Sequence, residues 1–260
     1  MRKVVFAIAA HPDDIEFLMA GTLFLLKDQG YEMHYMNLAD GYCGSTEYRA
    51  KEIIKIRMNE AHEACKVLGA TFHKPLVKDI EILYEIKLLK RLCSLIRMIR
   101  PQILLVHSPD DYMEDHMQAC RLAVSAAFCR NIPNFMVVPK HDAVFDSLTV
   151  YHAQPHGNRG YLGELISPDI FVDITSVIEK KIEMLSKHKS QKDWLDKSQG
   201  LDSYIEAVKV FSSEIGRMSQ TFQFAEGWRR HSHLGFCKKD RDPLSEELKK
   251  SVLQAETAIA

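Results

Sequence analysis

The chain has 260 residues, 46% of them hydrophobic and 27% charged, with a formal net charge of −1 and an isoelectric point near 6.9. That balance argues against nucleic acid or an anionic membrane as a partner, and no apolar run approaches the roughly 20 residues that a membrane-spanning helix needs. The six cysteines (Cys43, Cys65, Cys93, Cys120, Cys129 and Cys237) contain no Cys-x-x-Cys pair and read as free thiols of a cytoplasmic protein.

In chain order, the short apolar run at residues 3–9 predicts a buried strand. The basic start and small residues of "MRKVVFAIAA" also resemble a miniature signal peptide, but cleavage after Ala10 would cut the motif that follows. A helix is predicted over 15–29, ended by Gly30, then a strand over 31–39 and the turn "DGYCGS". Ile53, Ile56, Ala61, Ala64 and Leu68 recur at helical spacing and predict a long amphipathic helix over 46–68, stopped by Gly69. A short strand near 71–75, a helix over 82–99, a buried strand over 102–107 and a helix over 113–130 follow. Strands alternating with helices predict an α/β fold: right-handed βαβ units and a mostly parallel sheet covered on both faces. Beyond 131 the pattern loosens, with strands expected at 148–152 and 170–174 and helices at 174–188, 201–217 and 243–257. We read a single domain over 1–260. Its core spans about 1–135, a strand and helix extension of the sheet with the pocket spans 136–240, and a helical tail spans 241–260.

Two turns share a design. "AIAAHPDDIE" follows the first strand and "LLVHSPDDYMEDH" follows the strand at 102–107. Capping explains each one alone: Asp13 with Glu16, and Asp111 with Glu114, fit the first and fourth positions of a capping box. The pair implies more. Both turns lie at carboxyl ends of parallel strands, the edge where open α/β sheets place ligands. A cap needs one oxygen and has no use for His11, or for His116 across the cleft. Two imidazoles and a carboxylate suit a catalytic zinc with an open position. Of Asp13 and Asp14, one can bind the metal while the other faces the water as a base.

These motifs resemble the LmbE-like, or PIG-L, N-deacetylase family. "AHPDDIE" and "DYMEDH" carry the resemblance, with "RMNEAHEACKVLG", "PDIFVDITSVIEKKIEMLSKHKSQ" and "FAEGW" in agreement. The resemblance implies a Rossmann-like three-layer αβα fold and a mononuclear Zn2+, though His and Asp also serve other divalent ions. It implies hydrolysis of an N-acetyl group from an amino sugar or sugar conjugate. It further implies that His11, Asp14 and His116 are the metal ligands, that Asp13 is the general base, and that Arg57 reaches the substrate or a product carboxylate. Composition alone would put Arg57 on the surface. Relatives of this kind often assemble, and the C-terminal helices offer a surface for a homo-oligomer.

The chain departs from the family at Met113, where a histidine usually stabilises the tetrahedral intermediate. Asp115, the usual orienting partner of that histidine, is retained. His152, nearer a strand end, is the first candidate replacement and His156 the second. The departure keeps open a metal-containing sugar-binding or regulatory protein without turnover. An aspartyl-phosphate receiver would be about half this size, and no Gly-x-Gly-x-x-Gly follows the first strand to support a dinucleotide enzyme.

Overall fold

The computed structural model describes residues 3–192 and 204–255. Its first strand, β1 (Val4–Ala9), is buried along its whole length. Alternate residues feed two different layers, as the two-residue period of a strand dictates. Val5, Ala7 and Ala9 belong to one core, while Val4, Phe6 and Ile8 belong to the other. On the first side pack α1 (Asp14–Leu18), α2 (Ala20–Asp28), α3 (Ala50–Leu68), α6 (Ile178–Leu185) and α7 (Tyr204–Ser219). On the second pack α4 (Ile86–Ile99) and α5 (Glu114–Cys129). This is the expected three-layer αβα arrangement.

The sheet is completed by β2 (Glu32–Asn37), β3 (Thr71–His73), β4 (Ile103–Val106), β5 (Thr149–Ala153), β6 (Ile170–Asp173), β7 (Ala225–Arg230) and β8 (Val252–Gln254). Their order is β3-β2-β1-β4-β5-β7-β6-β8. The pairs from β3 to β5 are parallel, and those among β5, β7, β6 and β8 are antiparallel. The chain winds outward in one direction from β1 and in the other from β4, so the strand order reverses between them. The crevice at the carboxyl ends of such neighbours is where this architecture binds ligands.

Two expectations need correction. The helix predicted over 15–29 is broken at Met19, and a new helix starts at Ala20. The buried Glu226 carboxylate causes the restart by accepting the N–H groups of Gly21 and Thr22, which the first turn leaves free. Gly21 permits the packing, since a Cβ there would lie 2.5 Å from Ile174 Cγ2. The helix predicted over 243–257 is only one short turn, α8 (Pro243–Leu248), and its last two positions lie outside the described residues. The chain then forms β8 against β6, with Val252 and Leu253 packed on the core. Trp228 is a core residue whose Nε1 donates to Thr22 Oγ1 at 2.9 Å. Among the described residues, no helix is long and apolar enough to cross a membrane.

Candidate functional site

Pro12 turns the chain sharply out of β1, and Asp13 takes up φ +109, a left-handed conformation that Asp tolerates better than most residues. Its side chain does not cap α1. One oxygen instead accepts from the Tyr204 hydroxyl at 2.5 Å, and the other lies 3.5 Å from Arg57 Nη2. Asp111 does not follow the capping expectation either, because α5 begins after Met113. Its carboxylate takes the Met113 N–H at 3.1 Å, His116 Nδ1 at 2.9 Å and the His156 N–H at 3.3 Å.

The strand ends bring His11, Asp14 and His116 together, with one donor atom from each within 4.8 Å of the other two. His116 Nε2 lies 3.4 Å from Asp14 Oδ1, and His11 Nδ1 lies 3.6 Å from Asp14 Oδ2. The other nitrogen of each ring is engaged, His116 Nδ1 by Asp111 and His11 Nε2 by Asp115 at 3.0 Å. A carboxylate on the far nitrogen is what holds a metal-binding imidazole in the right tautomer and orientation. The donor set thus fits a divalent ion. His107, at the end of β4, stacks on His116 with centroids 4.2 Å apart, and its Nε2 accepts the Ala10 N–H at 2.9 Å.

Without a metal, these groups titrate as a charged cluster. Burial alone would depress His11, but the Asp115 and Asp14 carboxylates overcome it and raise the ring to about 9. Burial opposes ionisation of His116 too, and Asp14 with Asp111 raises it to about 10. Burial works against the Asp14 carboxylate, yet His116 and His107 hold it well below the usual carboxylate range. Asp13 is shifted upward, chiefly by burial, with Arg57 opposing and Asp14 adding to the shift.

A cavity of about 270 Å³ opens over this cluster. Asp13, Arg57, His156 and Tyr204 line it, together with the predicted ligands and Met113. Arg57 is not at the surface: it is 4% exposed and donates to the carbonyls of Pro12 at 2.6 Å and Gly41 at 3.3 Å. The turn after β2 wraps it closely, so a Cβ at Gly44 would sit 2.3 Å from Nη1. Spacing could have revealed this burial, since Arg57 falls on the same helical face as Ile53, Ala61 and Ala64.

His152, the first candidate for the role missing at Met113, is placed elsewhere. It points with Val150 into the layer under α5, where Nδ1 meets the His107 carbonyl and Nε2 meets His231. His156 lies beyond the strand and reaches the cavity, its ring stacked on Phe17 at 4.9 Å. Asp115 serves His11 in place of residue 113. Tyr204 carried no sequence signal, as it stands 191 positions from Asp13.

A mostly parallel sheet with His and Asp donors at its switch point defines a protein of the LmbE/PIG-L fold. Residues 6–128 match the family described as PIG-L: GlcNAc-PI de-N-acetylase, and this part of the chain is a PIG-L family domain. The chain is 29% identical over 235 residues to a diacetylchitobiose deacetylase of Thermococcus kodakarensis, spanning 87% of this chain and 82% of that one. It is also 29% identical over 188 residues to a 4-oxalmesaconate hydratase of Pseudomonas putida, spanning 69% and 70%. Among solved structures, the 4-carboxy-2-hydroxymuconate hydratase of Pseudomonas putida shares the fold with a TM-score of 0.75 at 23% identity, covering 92% of this chain and 99% of that one.

Proposed function

We propose that the protein is a zinc-dependent hydrolase that removes the N-acetyl group of an amino sugar or sugar conjugate. The observation that carries this reading is the convergence of His11, Asp14 and His116 beneath a cavity that Asp13 also lines. Zinc held by those three residues supplies Lewis acidity toward the amide carbonyl and acidifies a water. Asp13 accepts the water's proton and returns one to the departing amine, its carboxylate steadied by Tyr204 and Arg57. Met113 has no hydrogen to donate. His156 takes that role: burial and the neighbouring His116 lower its pKa, so near neutral pH it is an uncharged ring with one N–H to offer. The aromatic rings of Phe17, Tyr112 and Tyr204 give a sugar its apolar contact surface.

The deciding experiment measures acetate release from a panel of N-acetylated sugars by the zinc-loaded protein. We expect turnover of at least one such sugar, and a loss of roughly 10²–10³ in kcat for His156→Ala, the scale for one oxyanion donor. Zinc bound at stoichiometry without acetate release would favour a sugar-binding protein. The hydratase relative, as identical as the deacetylase one, supports a second reading, in which water adds to an unsaturated tricarboxylic acid. Loss of the acid's ultraviolet absorbance without acetate release would select it.

The raised histidines predict a pH dependence for metal uptake. A ligand imidazole must be neutral, whereas His11 and His116 stay protonated up to about 9 and 10 in the metal-free protein. Zinc binding at pH 7 should therefore release close to two protons. Affinity should rise with pH until both rings are neutral and fall as pH is lowered. Calorimetry in buffers of different ionisation heat reads the proton count, and a count of zero would contradict the ligand assignment.

A further inference from the structure

We propose that Asp115 is the positioning residue of the ligand His11 and couples it to the loop that carries Ile80. The inference rests on the metal site proposed above. Asp115 lies in the first turn of α5 and is 4% exposed. One of its oxygens accepts two hydrogen bonds, from His11 Nε2 at 3.0 Å and from the Ile80 N–H at 2.6 Å. An ionised carboxylate only accepts, so Nε2 keeps its proton. The proton that the ring gives up to bind a metal therefore leaves from Nδ1, the nitrogen that faces Asp14. The thioether at Met113 offers a carboxylate nothing, and Asp115 is free to serve His11.

The second partner is unusual. Ile80 has φ +65, an outlier for a β-branched residue that persists only where its surroundings over-determine it. Those surroundings are Asp115 on its N–H and the adjoining Asp79, whose carboxylate accepts the N–H groups of Gly41 at 2.6 Å and Cys43 at 2.9 Å. The loop between β3 and α4 is thus pinned to the turn after β2 on one side and to His11, through Asp115, on the other. Asp79 and Ile80 both line the cavity, and the Ile80 side chain is 64% exposed. A metal on His11 orders the loop, and an ordered loop favours the metal by the same factor, since such coupling is reciprocal.

The test is a chelator-competition titration of zinc with the wild type, Asp115→Asn and Asp115→Ala, joined to hydrogen exchange at the Ile80 amide. Loss of an outer-shell partner typically costs about 10–100-fold in metal affinity. We expect a loss of that size in the Ala variant and a smaller one in the Asn variant, which keeps an acceptor. Zinc should slow exchange at Ile80 in the wild type and not in the Ala variant. If the Ala variant does not fold, the isosteric Asn variant carries the titration. Wild-type affinity in both Asp115 variants, alongside zinc lost in His11→Ala, overturns the positioning role alone, and exchange at Ile80 indifferent to zinc overturns the coupling. A wild type that takes up no zinc overturns the metal site and the positioning role with it.

Discussion

Asp13→Asn is expected to keep its zinc and lose most of its hydrolytic activity, by about 10²–10⁴ in rate, the usual worth of a general base. The amide cannot accept the water's proton, while almost everything else at this position survives. Asn has the same shape, and its oxygen can still accept from Tyr204, which now donates to Asp13 at 2.5 Å. Asn also tolerates the left-handed backbone that Asp13 adopts at φ +109, whereas Ala would add strain and blur the result. Asp13 is not in the ligand triangle, so metal content should not change. Acetate release and elemental analysis of one preparation read both quantities. Wild-type turnover, or loss of zinc, would require the roles of Asp13 and Asp14 to be reassigned.

Much of this site was legible because its residues sit where the chain's local pattern changes. His11, Asp13 and Asp14 follow the apolar run of β1, and Asp111 and His116 follow that of β4. Parallel strands put both turns on one edge without any knowledge of distant contacts. Arg57 was legible in principle from its helical face, although composition pointed to the surface. The choice between His152 and His156 depended on which face of β5 points to the crevice. Strand parity settles that only once the layers are known, and Val150 and His152 share the face under α5. The end of the chain is charged enough to read as a solvated helix, but the open edge of β6 draws Val252–Gln254 into the sheet. That is a tertiary effect, as is the meeting of Tyr204 with Asp13, and no local signal announces either.

His11→Ala and His116→Ala should each lose most of the bound zinc, because two protein ligands remain where a catalytic zinc site uses three. A rival site has to be weighed, since His107, Asp111 and His116 also offer donor atoms within 4.8 Å of one another. Two observations disfavour it. The Asp111 carboxylate is already committed to two backbone N–H groups and to His116 Nδ1. All three rival residues are buried, and of them only His116 lines the cavity, whereas His11, Asp14 and His116 all do. A catalytic metal needs an open coordination position, and only the first triangle faces one. His116 belongs to both triangles, so its variant cannot distinguish them, but His11 and His107 can. Elemental analysis after dialysis should find zinc largely gone from His11→Ala and largely retained in His107→Ala. The reverse pattern would move the metal to the buried triangle and remove Asp13 from reach of the chemistry, and full occupancy in both His11→Ala and His116→Ala would sink the ligand assignment outright.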